Sequence, residues 1–272
     1  MGEEHHDYLL GTHDEEVERL GLQHRVWRPR MLDGWRRAGL TEGWTVIDAG
    51  AGPGWASFDL AEIVGPRGRV HALERSERFF AHLSEQTAAR RLAQVSPVEL
   101  DLVTDPLPAA NVDAFWVRWV LAFVDDPAAV LGKLAAALKP GGVAVIHEYV
   151  DWGVFRLLPP VPAHREFVDF VLADWRASGG EPDIGRELPA LAAAAGLRIR
   201  EARPMTEVIR PSDCMWRWPA SFIDVYLDRL VAAGKRDAAW AERVRAAFED
   251  ASRRPDTLLL TPMVLEVIAE KV

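Results

Sequence analysis

The residues that could do chemistry begin at Val46, in the stretch "VIDAGAGPG". An apolar run ends at Asp48, and glycines follow at alternate positions, Gly50, Gly52 and Gly54. Glycine tolerates φ > 0 and lets a ligand approach the bare backbone. A strand, a glycine loop and a helix in that order make a cradle for a nucleotide. A dinucleotide fingerprint would need a further glycine where Trp55 stands. An indole there opposes tight helix–strand packing around a pyrophosphate. Two more acids suit a nucleoside. Glu74 closes "RVHALE", where a carboxylate can accept both hydroxyl hydrogens of a ribose. The plainer alternative is an acid favoured by the dipole of the next helix. Asp101, in "VELDLVTDPLP", can accept from an adenine amino group with Leu102 against the ring, or be an ordinary loop aspartate.

A second group lies in "VIHEYVDW", with His147, Glu148, Tyr149 and Asp151, and with His164 further on. A carboxylate or imidazole at a strand end can take a proton from a nucleophile. Glu148 is the first catalytic candidate and His147 the second, because the strand end faces the ligand side of such a sheet. Each histidine can equally be a satisfied or exposed imidazole. Tyr149, Trp152 and His164 are candidates for substrate contact. The chain has 11 tryptophans, and Trp152, Trp175, Trp216 and Trp218 fall beyond the glycine-loop region. They suit a pocket for a flat or lipophilic molecule, or the packing of a cap, or a dimer surface.

These residues need elements to hold them. Residues 14–38 have helical spacing, and Gly39 stops the run. Strands and helices then alternate: "WTVIDAG", "WASFDLAEIV", "GRVHALE", "SERFFAHLSEQTAARR" with Ser76 as N-cap, "VSPVEL", "VDAFWVRWV", "DPAAVLGKLAAAL", a "KPGG" turn and "VAVIHEY". That alternation predicts an α/β fold with a parallel sheet covered on both faces. Later come a helix over 186–195, the strand "LRIREARPM", helices within 212–253 and the strand "MVLEVIAEKV". Residues 1–40 read as an N-terminal helical segment, 41–150 as the cofactor-binding core, and 151–185 and 211–255 as cap insertions of a single domain.

The motifs "VIDAGAGPG", Glu74, Asp101, "DAFWVRWVLAFVDDP" and "LKPGGVAVIHE" resemble those of class I S-adenosylmethionine-dependent methyltransferases. The flanking text, "YLLG…DEEVERLGLQHRVW", "GGEPDIGRELPALAAAAGL" and "TPMVLEVIAEK", resembles a bacterial small-molecule branch of that family. The resemblance implies a Rossmann-like seven-stranded sheet of order 3-2-1-4-5-7-6 with strand seven antiparallel. It implies that Gly50, Gly52 and Gly54 approach the methionine part of S-adenosylmethionine and that Asp48 orients the loop or the amino group. By the same resemblance, Glu74 takes the ribose and Asp101 and Leu102 the adenine. Arg118 and Trp119 face the methionine end or the substrate. Tyr8 and Gln23 belong to a segment that closes over the cofactor.

The implied reaction is methyl transfer to an oxygen or nitrogen of a small-molecule metabolite. The alternatives are a protein that binds the cofactor without transferring methyl, and a nicotinamide oxidoreductase, which Trp55 opposes. No Asn/Asp-Pro-Pro-aromatic tetrad follows strand four, which disfavours amino methylation of DNA bases. No compact carboxylate cluster announces a metal. The formal charge of −9 disfavours a nucleic-acid partner, and Arg90 and Arg91 are the nearest approach to a basic patch. No apolar run is long enough to span a membrane, and the acidic N-terminus lacks the features of a signal peptide. Cys214 is the single cysteine, which excludes an internal disulfide and fits a reducing cytoplasmic setting. A homodimer remains compatible with the aromatic segments.

Overall fold

A computed structural model describes residues 14–272. The chain opens with α1 (Asp14–Ala38) and then alternates: β1 (Thr45–Ala49), α2 (Trp55–Val64), β2 (Arg69–Glu74), α3 (Glu77–Ala89), β3 (Val95–Glu99), β4 (Val112–Arg118), α4 (Pro127–Ala137) and β5 (Leu138–Asp151). The second half holds β6 (Arg156–Leu158), α5 (Pro162–Ala177), α6 (Leu188–Ala194), β7 (Leu197–Met205), β8 (Val208–Ile209), α7 (Arg217–Ala232), α8 (Ala238–Arg253), β9 (Leu258–Leu260) and β10 (Met263–Lys271). The main sheet runs β3-β2-β1-β4-β5-β10-β7. Its first five strands pair parallel, and β10 is antiparallel to both β5 and β7. This is the order that the sequence resemblance implied, with β10 as the seventh strand in that scheme.

Side chains alternate across the strands and feed two cores. Val46, Ala114, Trp116 and Val145 pack with Met31 and Trp35 of α1 and with the buried face of α2. Ile47, Phe115, Val117 and Ile146 pack on the other side with α4, α6 and the aromatic second half. Trp35 meets Trp116 edge-on at 5.2 Å, an arrangement worth about 0.5–1.5 kcal/mol beyond the area it buries. Ser76 caps α3 by accepting the N–H of Phe79, and Asp126 caps α4 by accepting that of Ala129.

The elements differ from the sequence expectation in three places. The strand assignment begins at Leu138 and runs through "KPGG". Val112 pairs with Leu138 but Ala114 with Val143, so residues 139–142 bulge opposite one residue of β4. A small antiparallel sheet, β6-β9-β8, was not expected at all. Its strands are two or three residues long, too short for a period-two pattern to show. Helix α5 also emerges from the Trp- and Phe-rich stretch. It packs on α8, and α7 packs on both α8 and α1.

The glycine loop joins β1 to α2. Gly54 has φ 93°, and a Cβ there would lie 2.4 Å from Leu83 Cδ1 and 2.9 Å from Phe58 Cζ. Gly52 has φ 57°, yet a Cβ there would meet nothing within 4 Å. Gly54→Ala adds crowding to left-handed strain and is expected to cost about 2–4 kcal/mol. Gly52→Ala is expected to cost only the backbone term, about 1–2 kcal/mol. Urea unfolding of the two variants checks this; equal costs would mean that packing behind Gly54 does not constrain the loop.

Candidate active site

The carboxyl ends of β1, β2 and β4 and the loop after β3 surround a cavity of about 660 Å³. That lies within the roughly 300–1,000 Å³ of small-molecule sites. The glycine loop forms its floor through Gly50, Ala51 and Gly52. Asp48 lines it, buried, and accepts the Ser57 hydroxyl at 2.5 Å. Burial pushes the Asp48 carboxyl up to about 6 against the pull of Ser57 and Arg118. Glu74 also lines it. One carboxylate oxygen accepts the Gly52 N–H at 2.7 Å, and the other accepts the Ser76 N–H at 2.8 Å. Glu74 therefore ties the glycine loop to the start of α3, and burial raises its pKa. A carboxylate oxygen has lone pairs for more than one donor, so each can still accept from a ligand. Asp101 and Leu102 form the far wall, where Asp101 accepts the Val103 N–H at 2.6 Å.

The opposite end of the cavity carries Arg118, Trp119 and Gln23. The Arg118 guanidinium lies 5.3 Å from the Trp119 ring and approaches His24 Nδ1 at 3.4 Å. Burial lowers the Arg118 pKa to about 10, so it stays cationic at neutral pH. An arginine cannot accept, so His24 Nδ1 must accept and its Nε2–H donates to Asp59 at 3.0 Å. Burial keeps that imidazole neutral by lowering its pKa. Gln23 Oε1 accepts the Trp218 indole N–H at 3.0 Å and Arg19 at 3.3 Å, joining α1 to α7 at the rim.

Beyond Trp119 the cavity meets a second, aromatic chamber of about 50 Å³. Gln23, Trp119 and Phe123 belong to both spaces. Tyr149 and Trp152 line the chamber, with Trp175, Trp218 and Phe222. Trp119 stacks between Tyr149 at 5.1 Å and Trp218 at 6.0 Å. Its backbone is left-handed, φ 53°, which is uncommon for a bulky residue. Arg19, Phe123 and Phe222 were not singled out in the sequence. Arg19 stands one helical turn before Gln23, which is the signal that could have found it.

Three expected site residues lie elsewhere. His147 lines neither space. It is buried against Trp116, and its Nε2 pairs with Glu266 Oε2 at 2.8 Å. Glu266 is held in turn by Arg37 of α1. Glu148 also lines neither space. Its Oε1 accepts the N–H groups of Val120 at 2.8 Å and Leu121 at 2.7 Å, so it anchors the loop after β4. His164 is buried between Phe155 and Phe248, and burial lowers it to about 4. Tyr8 lies outside the described residues. Among the described residues no group of three or more His, Cys, Asp or Glu could hold a metal, and no helix is long and apolar enough to cross a membrane.

Comparison with known proteins agrees with this geometry. Residues 46–142 match the methyltransferase domain family. The chain is 33% identical over 173 residues to a 2-phytyl-1,4-naphtoquinone methyltransferase of Synechococcus elongatus, covering 62% of this chain and 69% of that one. It is 32% identical over 172 residues to an uncharacterized 37.1 kDa protein in transposon TN4556 of Streptomyces fradiae, covering 62% of this chain and spanning 47% of that protein. The fold resembles that of a geranyl diphosphate methyltransferase solved with GPP and sinefungin, at 17% identity, with a TM-score of 0.58 and coverage of 98% of this chain and 90% of that one. The chain belongs to the class I S-adenosylmethionine-dependent methyltransferases.

Burial pushes the Glu148 carboxyl up to about 8, outweighing the backbone N–H groups that favour its charge. Its ordinary value is 4.5. The folded state therefore binds this proton more tightly than the unfolded state does. The resulting stabilisation is full below about pH 4.5 and is lost as pH rises through about 8. Glu148→Gln cannot titrate and should keep the acceptor that Val120 and Leu121 use. Wild type should lose a few kcal/mol relative to Glu148→Gln between pH 5 and pH 8, measured by urea unfolding at both. A constant difference between the two proteins would show that Glu148 titrates normally.

Proposed function

We propose that the protein transfers the methyl group of S-adenosylmethionine to an oxygen or nitrogen of a small, flat, apolar metabolite. The observation that carries this is the junction of the two spaces at Trp119. A polar cavity lined by Asp48, Glu74, Asp101 and Arg118 shares the Trp119 wall there with an aromatic chamber. The cavity residues fit the cofactor. Gly52 lines it with open space where a side chain would stand. Glu74 would hold the ribose hydroxyls, and Asp101 with Leu102 would hold the adenine. Asp48 would favour the amino group, and Arg118 the carboxylate. When bound, the cofactor supplies an electrophilic methyl on a cationic sulfur with a neutral leaving group.

The chain's own contribution is then alignment and exclusion of water. Trp119 walls both spaces and aims the acceptor. Tyr149 and Trp152 hold its apolar body, which agrees with the planar substrate for which the naphthoquinone methyltransferase relative is named. No Asp, Glu or His lines the aromatic chamber among the described residues. The site suits a nucleophile that arrives deprotonated or loses its proton to solvent on binding.

S-adenosylhomocysteine at about 100 times its Kd should raise the melting temperature by about 5–10 °C, while NAD should leave it unchanged. Larger stabilisation by NAD would sink the reading. Glu74→Ala should remain folded and bind S-adenosylhomocysteine about 30- to 1,000-fold more weakly by calorimetry, since it removes charged acceptors of two hydroxyls. Unchanged affinity would leave Glu74 as an anchor of the glycine loop and nothing more.

A further inference from the structure

Two tryptophans that line the chamber, Trp119 and Trp152, have indole N–H groups with no hydrogen-bond partner among the described residues. Both residues are buried, at 9% and 3% exposure. Their rings flank Tyr149 at 5.1 and 5.0 Å. The other two tryptophans of the same wall are satisfied within the protein. Trp175 donates to the Ala122 carbonyl at 3.1 Å, and Trp218 donates to Gln23 at 3.0 Å. Trp27, Trp35 and Trp55 also carry buried indole N–H groups without partners, but none of them lines the chamber. Buried donors are normally paired, because leaving one unpaired forfeits its hydration. The backbone at Trp119 adds a second observation. Its left-handed conformation persists because its N–H donates to the His147 carbonyl at 3.0 Å while Glu148 takes the next two N–H groups. Strain held in this way clusters at ligand sites.

We propose that Trp119 and Trp152 are the donors that recognise the substrate, and that the substrate carries a conjugated oxyanion, as a phenolate or enolate, into the aromatic chamber. This rests on the methyl-transfer reading and narrows its substrate class. An indole N–H can only donate. An oxyanion accepts from both, and such charge-assisted bonds are roughly twice as strong as neutral ones. An ammonium brings only donors and would leave both indoles unpaired. Binding therefore selects the ionised oxygen, whose proton passes to solvent. That accounts for a chamber without a carboxylate or imidazole base.

The test uses wild-type protein with saturating S-adenosylhomocysteine and three probes of similar shape: 4-nitrophenol, nitrobenzene and 4-nitroaniline. Calorimetry should show 4-nitrophenol binding at least about tenfold tighter than either of the others. Its visible absorbance should show the ionised form at a pH about one unit lower when bound. Trp152→Phe, which keeps the ring and loses the N–H, should weaken 4-nitrophenol about 10- to 100-fold. It should keep S-adenosylhomocysteine affinity within about twofold. Trp119→Phe should weaken 4-nitrophenol similarly. Equal binding of the three probes, no binding of 4-nitrophenol, or unchanged affinity in folded Trp152→Phe overturns the proposal. If S-adenosylhomocysteine itself fails to bind, the methyl-transfer reading falls instead. Should Trp152→Phe fail to fold, the three-probe comparison on wild type decides alone.

Discussion

Glu148 is fully buried, and one of its carboxylate oxygens receives two consecutive backbone N–H groups. Those groups belong to Val120 and Leu121, immediately after Trp119. Left-handed backbone costs an L-residue roughly 1–2 kcal/mol. Hydrogen bonds to an ionised acceptor are worth about 1.5–3 kcal/mol each, and even neutral ones about 0.5–1.5. The two bonds outweigh the strain when Glu148 is ionised and are of about the same size as it when the acid is neutral. With Trp119 fixed, its indole walls both the cofactor cavity and the aromatic chamber, and its faces stack on Tyr149 and Trp218. The boundary between the two ligand spaces depends on that one side chain's backbone geometry. A carboxylate at the end of β5 thus shapes the site without touching what the site holds.

A second constraint ties the N-terminal helix to the sheet. Arg37 of α1 reaches Glu266 of β10, which pairs with His147 of β5. Higher up the same helix, Arg28 and His24 both engage Asp59 of α2. All but the half-exposed Arg28 are largely buried, and removing one partner from a buried pair typically costs about 3–5 kcal/mol. They hold α1 so that Gln23 lines the cavity and His24 meets Arg118, which also lines it, at 3.4 Å. The helix acts as a wall of the site, and its register along the sheet fixes which side chains form that wall.

The parts of this architecture that were legible in the sequence are those governed by short spacing. The glycine loop, the acid after β2 and the alternation of strands and helices lie within local windows, where periodicity and turn chemistry decide the outcome. Glu74 was found that way, although its two bonds to backbone N–H groups were not foreseen. His147 and Glu148, the catalytic candidates, lie outside both spaces for a non-local reason. His147 and Glu148 sit on opposite sides of one strand, and what each meets comes from distant chain. The partner of His147 is Glu266, 119 residues later and directly across from it on β10. The partners of Glu148 are N–H groups freed by an irregular turn after β4. Neither pairing has a local signature. The place of His164 between Phe155 and Phe248 is non-local in the same way.

The two spaces divide the chemical labour by charge. The cavity lining carries the carboxylates Asp48, Glu74 and Asp101, with Arg118 beside Trp119 and Arg75 and Arg78 by the start of α3. A cationic cofactor would suit the carboxylates, with Arg118 proposed for its own carboxylate. The chamber has almost no charge of its own, since Arg19 on its wall is paired with Glu16 at 2.6 Å. Aromatic walls exclude water, and low polarity strengthens each remaining electrostatic contact. A sulfonium at the junction would then attract an anionic nucleophile most strongly where solvent screening is least. The attraction needs no group to move and no proton to be held by the protein at the moment of transfer. It does require that the dry side and the charged side stay separate, which is the service Trp119 performs.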